Sequence, residues 1–184
     1  LGCASWQQLA PLDIDARVAM LRNPGFRARL LAEPGGTPEQ LARLRDFDRV
    51  FRLGDPPDYE PRADECVNAQ ARLLGVEPLA LAYDWMMEND GRTILYHPTT
   101  NYTAGSMAPV YDMLRHPNTL IGLGDGGAHV GIMCDATDMT HALTYWTRDR
   151  TRGARLPLAD IVRRLTLANA QAIGLHDRGR IAPG

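Results

Sequence analysis

The sequence predicts an α/β fold, in which a mostly helical region over residues 1–91 precedes a second region over residues 92–184. The second region contains two consecutive strand–helix units, over residues 92–150, and C-terminal helices. Helix-start and helix-stop signals dominate the first half of the chain. Two short apolar, β-prone runs follow at residues 93–96 and 119–123, and each is succeeded by a polar loop and a helical pattern. Consecutive strand–helix units imply parallel strands, and function is then expected at the carboxyl ends of those strands.

Capping signals delimit the helices of the first region. Asp13 is an N-cap for a short helix that runs to about Leu21. Asn23 followed by Pro24 opens a second helix, because proline is favoured at the first helical position. The other predicted elements of this region are a capping box at residues 37–40, a loop at 53–61, a helix at 62–74 stopped by Gly75, and a helix at 78–87.

Similar signals define the helices of the second region. Ser106 is an N-cap for a helix over residues 107–115, which the His116-Pro117 pair ends. Further helices are predicted at residues 138–150, at residues 157–167 and around Ala170.

The composition excludes several chemistries. All 20 basic residues are arginine, so the chain has no phosphate-loop lysine, Schiff-base lysine or lysine general base. Only Ser5 and Ser106 are serines, and neither lies in a Gly-x-Ser-x-Gly context, which argues against a serine hydrolase. A net charge of -2 gives no electrostatic reason to expect a nucleic-acid partner.

The cysteines and the hydropathy bear on the compartment. Cys3, Cys66 and Cys134 are odd in number and widely spaced, so a reduced, cytoplasmic setting fits better than a disulfide framework. No apolar run approaches the roughly 20 residues that a membrane helix needs, and the sequence shows no signal-peptide layout. We therefore expect no membrane association.

A glycine-rich turn follows the second predicted strand. Gly122, Gly124 and Gly127 have the G-x-G-x-x-G spacing of a dinucleotide-binding turn, but Asp125 lies where a pyrophosphate would approach. The same residues suit a tight turn in which Asp125 bonds its own backbone. In a third interpretation, Asp125 projects from the end of a strand into an active site, as catalytic carboxylates do in (β/α) barrels.

The residues around Asp125 resemble a known family. The run Gly-Asp-Gly-Gly-Ala-His-Val-Gly at residues 124–131 resembles the last-strand motif of N-acyl-D-amino-acid deacylases, which are D-aminoacylase-like members of the amidohydrolase superfamily. Further similarity to this family covers most of the chain and includes residues 47–60, 144–150, 155–158, 165–175 and 178–184.

The resemblance implies a fold, a reaction and a cofactor. The chain would be the C-terminal part of a (β/α)8 TIM barrel, contributing its last two βα units, with residues 1–91 as a helical insertion or lid. Asp125 matches an aspartate that ligates a metal and carries a proton from the attacking water to the departing amine. Zinc would be the cofactor of the full-length enzyme, and an N-acyl amino acid would be its small-molecule substrate.

Part of the family pattern has no counterpart in this sequence. A whole barrel takes about 250 residues, and the family's His-x-His motif and its later cysteine and histidine ligands are missing here. We therefore expect a C-terminal fragment that is inactive by itself and that need not bind metal alone. An exposed barrel edge would favour homo-oligomers, and a non-catalytic interaction domain is the alternative function.

Four further residues are candidates for substrate binding. His129 lies four residues beyond Asp125, and His97 and Tyr102 follow the first predicted strand. Arg148 could hold a substrate carboxylate through a bidentate fork. Each has a structural alternative: a loop histidine bonded to backbone for His129, core or loop roles for His97 and Tyr102, and an ion pair at a helix end for Arg148.

Overall fold

The computed structural model describes residues 3–39, 41, 45–102, 104–122 and 136–183. Asp125 and His129, and the glycines Gly124 and Gly127, lie outside the described residues. The chain divides into two compact units, Leu1–Gly105 and Ser106–Gly184. Each unit is described separately.

The first unit contains six short helices, two 3-10 turns and two strands among its described residues. In chain order these are α1 (Ala4–Leu9), α2 (Ile14–Leu21), α3 (Pro24–Ala32), a 3-10 turn (Phe47–Arg49), β1 (Phe51–Arg52), a 3-10 turn (Ala63–Glu65), α4 (Val67–Leu74), α5 (Pro78–Met86), α6 (Glu88–Gly91) and β2 (Leu95–Tyr96).

The described part of the second unit is helical. Its elements are α7 (Ala108–Arg115), α8 (Asp138–Thr144), a π-helical turn (Tyr145–Asp149), α9 (Leu158–Arg163), a second π-helical turn (Arg164–Ala168) and α10 (Asn169–Ala172).

The helix caps confirm several predicted boundaries. The carboxylate of Asp13 accepts a hydrogen bond from the Ala16 amide at 2.8 Å, and the Asn23 side chain accepts one from the Phe26 amide at 3.0 Å. Each bond satisfies one of the amides that the first turn of a helix leaves unpaired. Gly75 ends α4 with φ 68°, a left-handed conformation that glycine adopts without a steric penalty.

Helix α5 is buried on two faces. Leu81, Ala82 and Trp85 pack in one cluster with residues of α4, whereas Tyr83 belongs to a second cluster with residues of α1, α2 and α3. The Tyr83 hydroxyl donates a hydrogen bond to the Leu21 carbonyl at 2.7 Å, so its polar end is satisfied inside the core. A helix that is apolar on more than one side is expected at the centre of a unit, where α5 lies.

The two strands form an antiparallel pair, with Phe51 opposite Tyr96 and Arg52 opposite Leu95. The β-prone run at residues 93–96 is therefore confirmed as a strand at β2. Its partner β1 was not expected from the sequence, and this pair is the one ladder among the described residues.

Residues 119–122, which were expected to begin the second strand, form no ladder in the described part of the chain. A barrel strand is defined by hydrogen-bonded neighbours on both of its sides. The (β/α)8 barrel therefore stays a prediction from the sequence, and so does the parallel pairing of its strands.

Threonine hydroxyls accompany both π-helical turns. Thr147 Oγ1 donates to the Leu143 carbonyl, and Thr166 Oγ1 donates to the Val162 carbonyl at 2.7 Å. A hydroxyl that bonds the carbonyl four residues earlier competes with the helical amide for the same acceptor and bends the helix. The Arg150 amide bonds the Tyr145 carbonyl five residues earlier, at 2.9 Å, which is the wide hydrogen bond that defines such a turn.

Candidate functional site

The segment that leads to Asp125 is held by an arginine from the second π-helical turn. The Arg164 guanidinium donates to three main-chain carbonyls, those of Arg115 at 2.6 Å, His116 at 3.2 Å and Thr119 at 3.3 Å. These carbonyls belong to the end of α7 and to the residues that follow it. The planar fork of arginine carries five donors, so one side chain can satisfy several acceptors that diverge in direction.

Asn169 makes the next contact along this segment. Its Nδ2 donates to the Ile121 carbonyl at 2.7 Å, four residues before Asp125. Arg164 and Asn169 therefore act on alternate residues of the same segment, Thr119 and Ile121. No local pattern in the sequence predicts these roles, because both contacts join residues more than 40 positions apart.

Tyr102 and the segment after β2 are anchored within the first unit. Tyr102 is 4% exposed, and its hydroxyl donates to the Pro61 carbonyl at 2.5 Å. Arg49 Nη2 donates to the Pro98 carbonyl at 2.5 Å, and His97, directly before Pro98, is half-buried. The Tyr102 proton is thus used inside the protein.

A cluster of tyrosines lies beside this segment. The rings of Tyr59 and Tyr96 meet edge to face, with centroids 5.9 Å apart. Burial, with smaller contributions from Tyr102, Tyr59 and Asp58, raises the pKa of Tyr96 to about 12, so this phenol stays neutral at physiological pH.

Glu60 is a buried carboxylate that sequence analysis missed. It is 1% exposed, and its amide donates to the Asp58 carboxylate at 2.8 Å. Acidic residues are rarely buried, and Glu60 lies in a proline-rich loop where exposure is the ordinary expectation. Its neighbour Tyr59 and the next residue, Pro61, take part in the tyrosine cluster and in the Tyr102 hydrogen bond.

Arg148 lies in the second unit with its fork already occupied. Its side chain is exposed, and the Asp149 carboxylate accepts from Nε at 2.5 Å and from Nη2 at 2.9 Å. These hydrogen bonds raise the pKa of Arg148 and lower the pKa of Asp149. Asp149 occupies the Nε–Nη2 edge of the Arg148 guanidinium, so a substrate carboxylate could use that edge only by displacing Asp149.

The surroundings of His141 shift the pKa of its imidazole. Its ring stacks on Tyr145 with a centroid separation of 4.9 Å. Burial lowers the pKa of His141 below the usual 6.5, while Asp138 and Asp149 oppose that shift.

We expect His141 to make the stability of the chain depend on pH. Between about 6.5 and the lowered pKa of the folded state, the unfolded chain binds more protons at His141, so the free energy of unfolding falls as the pH is lowered through this window. His141→Gln should flatten this slope in urea titrations at pH 5 to 8, and His176→Gln, at an exposed position, should leave it as in the parent chain. An unchanged slope in His141→Gln would contradict the assignment.

Metal-ligating side chains do not converge in the described residues. No three His, Cys, Asp or Glu side chains there lie close enough together to hold a metal ion. Cys66 is buried and Cys3 is half-buried, and neither forms a disulfide. A zinc site therefore cannot be assembled from the described ranges alone.

No helix in the described ranges is both long enough and apolar enough to cross a membrane.

Comparison with known proteins identifies the family. A family model described as the amidohydrolase family matches residues 3–184, which is nearly the whole chain. No curated protein and no solved structure matches the chain. The match includes Asp125 and the similar ranges downstream of it, residues 144–150, 155–158, 165–175 and 178–184. The chain therefore belongs to the amidohydrolase family, a family of hydrolases.

Proposed function

We propose that this chain is the C-terminal part of a hydrolase that cleaves the amide bond of N-acyl-D-amino acids. The observation that carries the proposal is the run at residues 124–131, which resembles the last-strand motif of those deacylases and lies within the family match. In this proposal the chain supplies the last two βα units of a (β/α)8 barrel and is inactive without the rest.

Asp125 has the role of proton carrier in this proposal. Amide hydrolysis needs a base that takes a proton from the attacking water and an acid that gives a proton to the departing amine. A carboxylate can perform both transfers in turn. The chain has no lysine that could replace it, and its two serines lie outside any nucleophile motif.

Zinc is the cofactor that the resemblance implies, with Asp125 among its ligands. When bound, zinc supplies a Lewis acid for the substrate carbonyl. The described residues contribute no further ligand cluster, so in this proposal the remaining ligands come from residues outside them.

The substrate-binding residues are assigned by position. His129 follows Asp125 in the same motif, and His97 and Tyr102 lie on the segment after β2. The bonds from Arg49 to Pro98 and from Tyr102 to Pro61 fix that segment, which suits residues that must hold a substrate. Arg148 would bind the substrate carboxylate in place of Asp149.

The experiment is an assay of the complete enzyme encoded by the reading frame that contains this chain. We expect it to release the amine from an N-acetyl-D-amino acid at least about tenfold faster than from the L enantiomer, since stereochemistry places the carboxylate differently in the site. The 184-residue chain should show no turnover. Equal rates for the two enantiomers, or hydrolysis of a cyclic amide alone, would overturn the proposed substrate class.

A further inference from the structure

An apolar cavity lies in the first unit, among residues that have no part in the proposed reaction. Its volume is about 390 Å³, it is partly open to solvent, and it is lined by residues of α1, α2, α3, α5 and α6. Leucines, methionines and aromatic rings provide most of its lining, including Leu21, Leu30, Leu79, Tyr83 and Met87. A cavity of this size and character is typical of small-molecule sites, which range from about 300 to 1,000 Å³.

The polar lining of the cavity has an excess of positive charge. Arg17 and Arg45 are the basic residues of the lining, and Glu33 is the acidic one. The Glu33 carboxylate is already engaged, because it accepts hydrogen bonds from the amide and the hydroxyl of Ser5, which lower the pKa of Glu33. Arg29 donates to the same Ser5 hydroxyl at 3.3 Å and adds a further positive charge beside Glu33.

Neither arginine of the lining is paired with a carboxylate in the described part of the chain. Arg17 donates to the carbonyls of Leu9 at 3.3 Å and Leu12 at 3.0 Å, so its charge is not neutralised. Arg45 is exposed, and no side-chain partner is found for it among the described residues. The floor of the cavity is apolar, since Val18 and Leu21 are buried there, and its solvent side carries Arg45.

We infer that this cavity binds a medium-chain alkyl carboxylate, such as a fatty acid, with the alkyl chain among the leucines and methionines and the carboxylate at Arg45. Apolar burial supplies the affinity. The positive charge of the lining, in a chain whose net charge is -2, selects an anionic head group over a neutral or cationic one. The inference concerns binding alone and is independent of the proposed hydrolysis.

Trp6 provides a reporter for binding, because it lines the cavity whereas Trp85 is buried in the other core cluster of this unit. The 184-residue chain is titrated with decanoate and decyltrimethylammonium below their micellar concentrations, and with decan-1-ol below its solubility limit. We expect saturable binding of decanoate, binding of decan-1-ol that is about three- to tenfold weaker, and no saturable binding of the cation. The fluorescence change should disappear in Trp6→Phe while calorimetry still detects binding.

Two arginine variants distinguish the contact between Arg45 and the head group from the effect of removing any one positive charge from the surface. Arg45→Gln should weaken decanoate to the level of decan-1-ol and leave decan-1-ol binding unchanged. Arg72→Gln, at an exposed arginine outside this cavity, should change neither ligand. Both substitutions are at the surface, so both variants should fold. Equal affinity for decanoate and decan-1-ol in the parent chain, or no saturable binding of either, would overturn the inference.

Discussion

Replacing Asp125 with alanine in the complete enzyme is expected to lower kcat by about a hundred- to ten-thousandfold, the range that a single general acid–base group contributes. The proposed carboxylate performs both proton transfers, so its loss affects the attack of water and the departure of the amine alike. Asp125→Asn should lose nearly as much activity, because the amide keeps the shape of the side chain but cannot accept the proton.

The matched control is an aspartate elsewhere in the same unit. Asp177 is exposed and paired with Arg178 at 2.9 Å, so Asp177→Asn should leave kcat unchanged. Steady-state assays measure kcat for the three variants and the parent enzyme. Circular dichroism verifies that each variant is folded. If Asp125→Ala lowered kcat by less than about threefold, the loss would be far smaller than a proton carrier causes, and Asp125 would have no part in the mechanism.

Local signals in the sequence predicted the helices well. The caps at Asp13 and Asn23 and the stop at Gly75 each depend on residues within a few positions, and the structure confirms all three. The N-cap of α7 is Met107 and not the predicted Ser106, whose hydroxyl accepts a hydrogen bond from the Ala108 amide at 3.0 Å. The expected capping box at residues 37–40 falls partly outside the described residues.

Contacts between distant residues could not be predicted in the same way. The pairing of β1 with β2 joins Phe51 to Tyr96, and nothing in either segment specifies its partner. The burial of Glu60 also depends on residues that are distant in the sequence. The same is true of the hydrogen bonds from Arg164 and Asn169 to the segment before Asp125. In the candidate site, Asp125 and His129 lie outside the described residues, so their proposed roles depend on the sequence alone.

Several arginines of this lysine-free chain make main-chain contacts that a lysine could not make. Arg17, Arg49 and Arg164 all bind main-chain carbonyls, and Arg164 binds three of them. A lysine ammonium is a compact point charge that cannot span acceptors placed so far apart. Arg17 and Arg164 thus connect chain segments that no strand ladder joins within the described residues, whereas the contact from Arg49 to Pro98 lies just beyond the end of the β1–β2 ladder.

Arg150 is the most deeply buried arginine among the described residues. Its replacement by alanine is expected to lower the free energy of unfolding by about 3–5 kcal/mol. Arg150 is 2% exposed and donates to the Ala154 carbonyl at 2.7 Å. Its guanidinium lies 4.9 Å from the ring centre of Trp146 and 5.6 Å from that of Tyr111. Alanine would leave a cavity, an unpaired carbonyl and two aromatic faces without their cation.

Urea unfolding of the 184-residue chain measures this loss, and hydrogen exchange locates it within Ser106–Gly184. The matched control is Arg163→Ala, at an exposed position in α9, which should change stability by less than about 0.5 kcal/mol. Arg150→Lys should recover only part of the loss, because an ammonium lacks the planar face that stacks on the two rings. Equal stabilities for Arg150→Ala and Arg163→Ala would show that the burial of Arg150 contributes nothing.

Gly153 tests the same packing from the opposite side. Its φ of +94° is one that side chains rarely adopt, and a Cβ there would lie 2.7 Å from Arg150 Nη2 and 2.9 Å from Cζ. Gly153→Ala therefore combines backbone strain with a clash, and only the clash depends on Arg150. In a double-mutant cycle, Gly153→Ala should cost less free energy in the Arg150→Ala background than in the parent chain. If the two costs were equal, the guanidinium would not occupy the space beside Gly153 in solution.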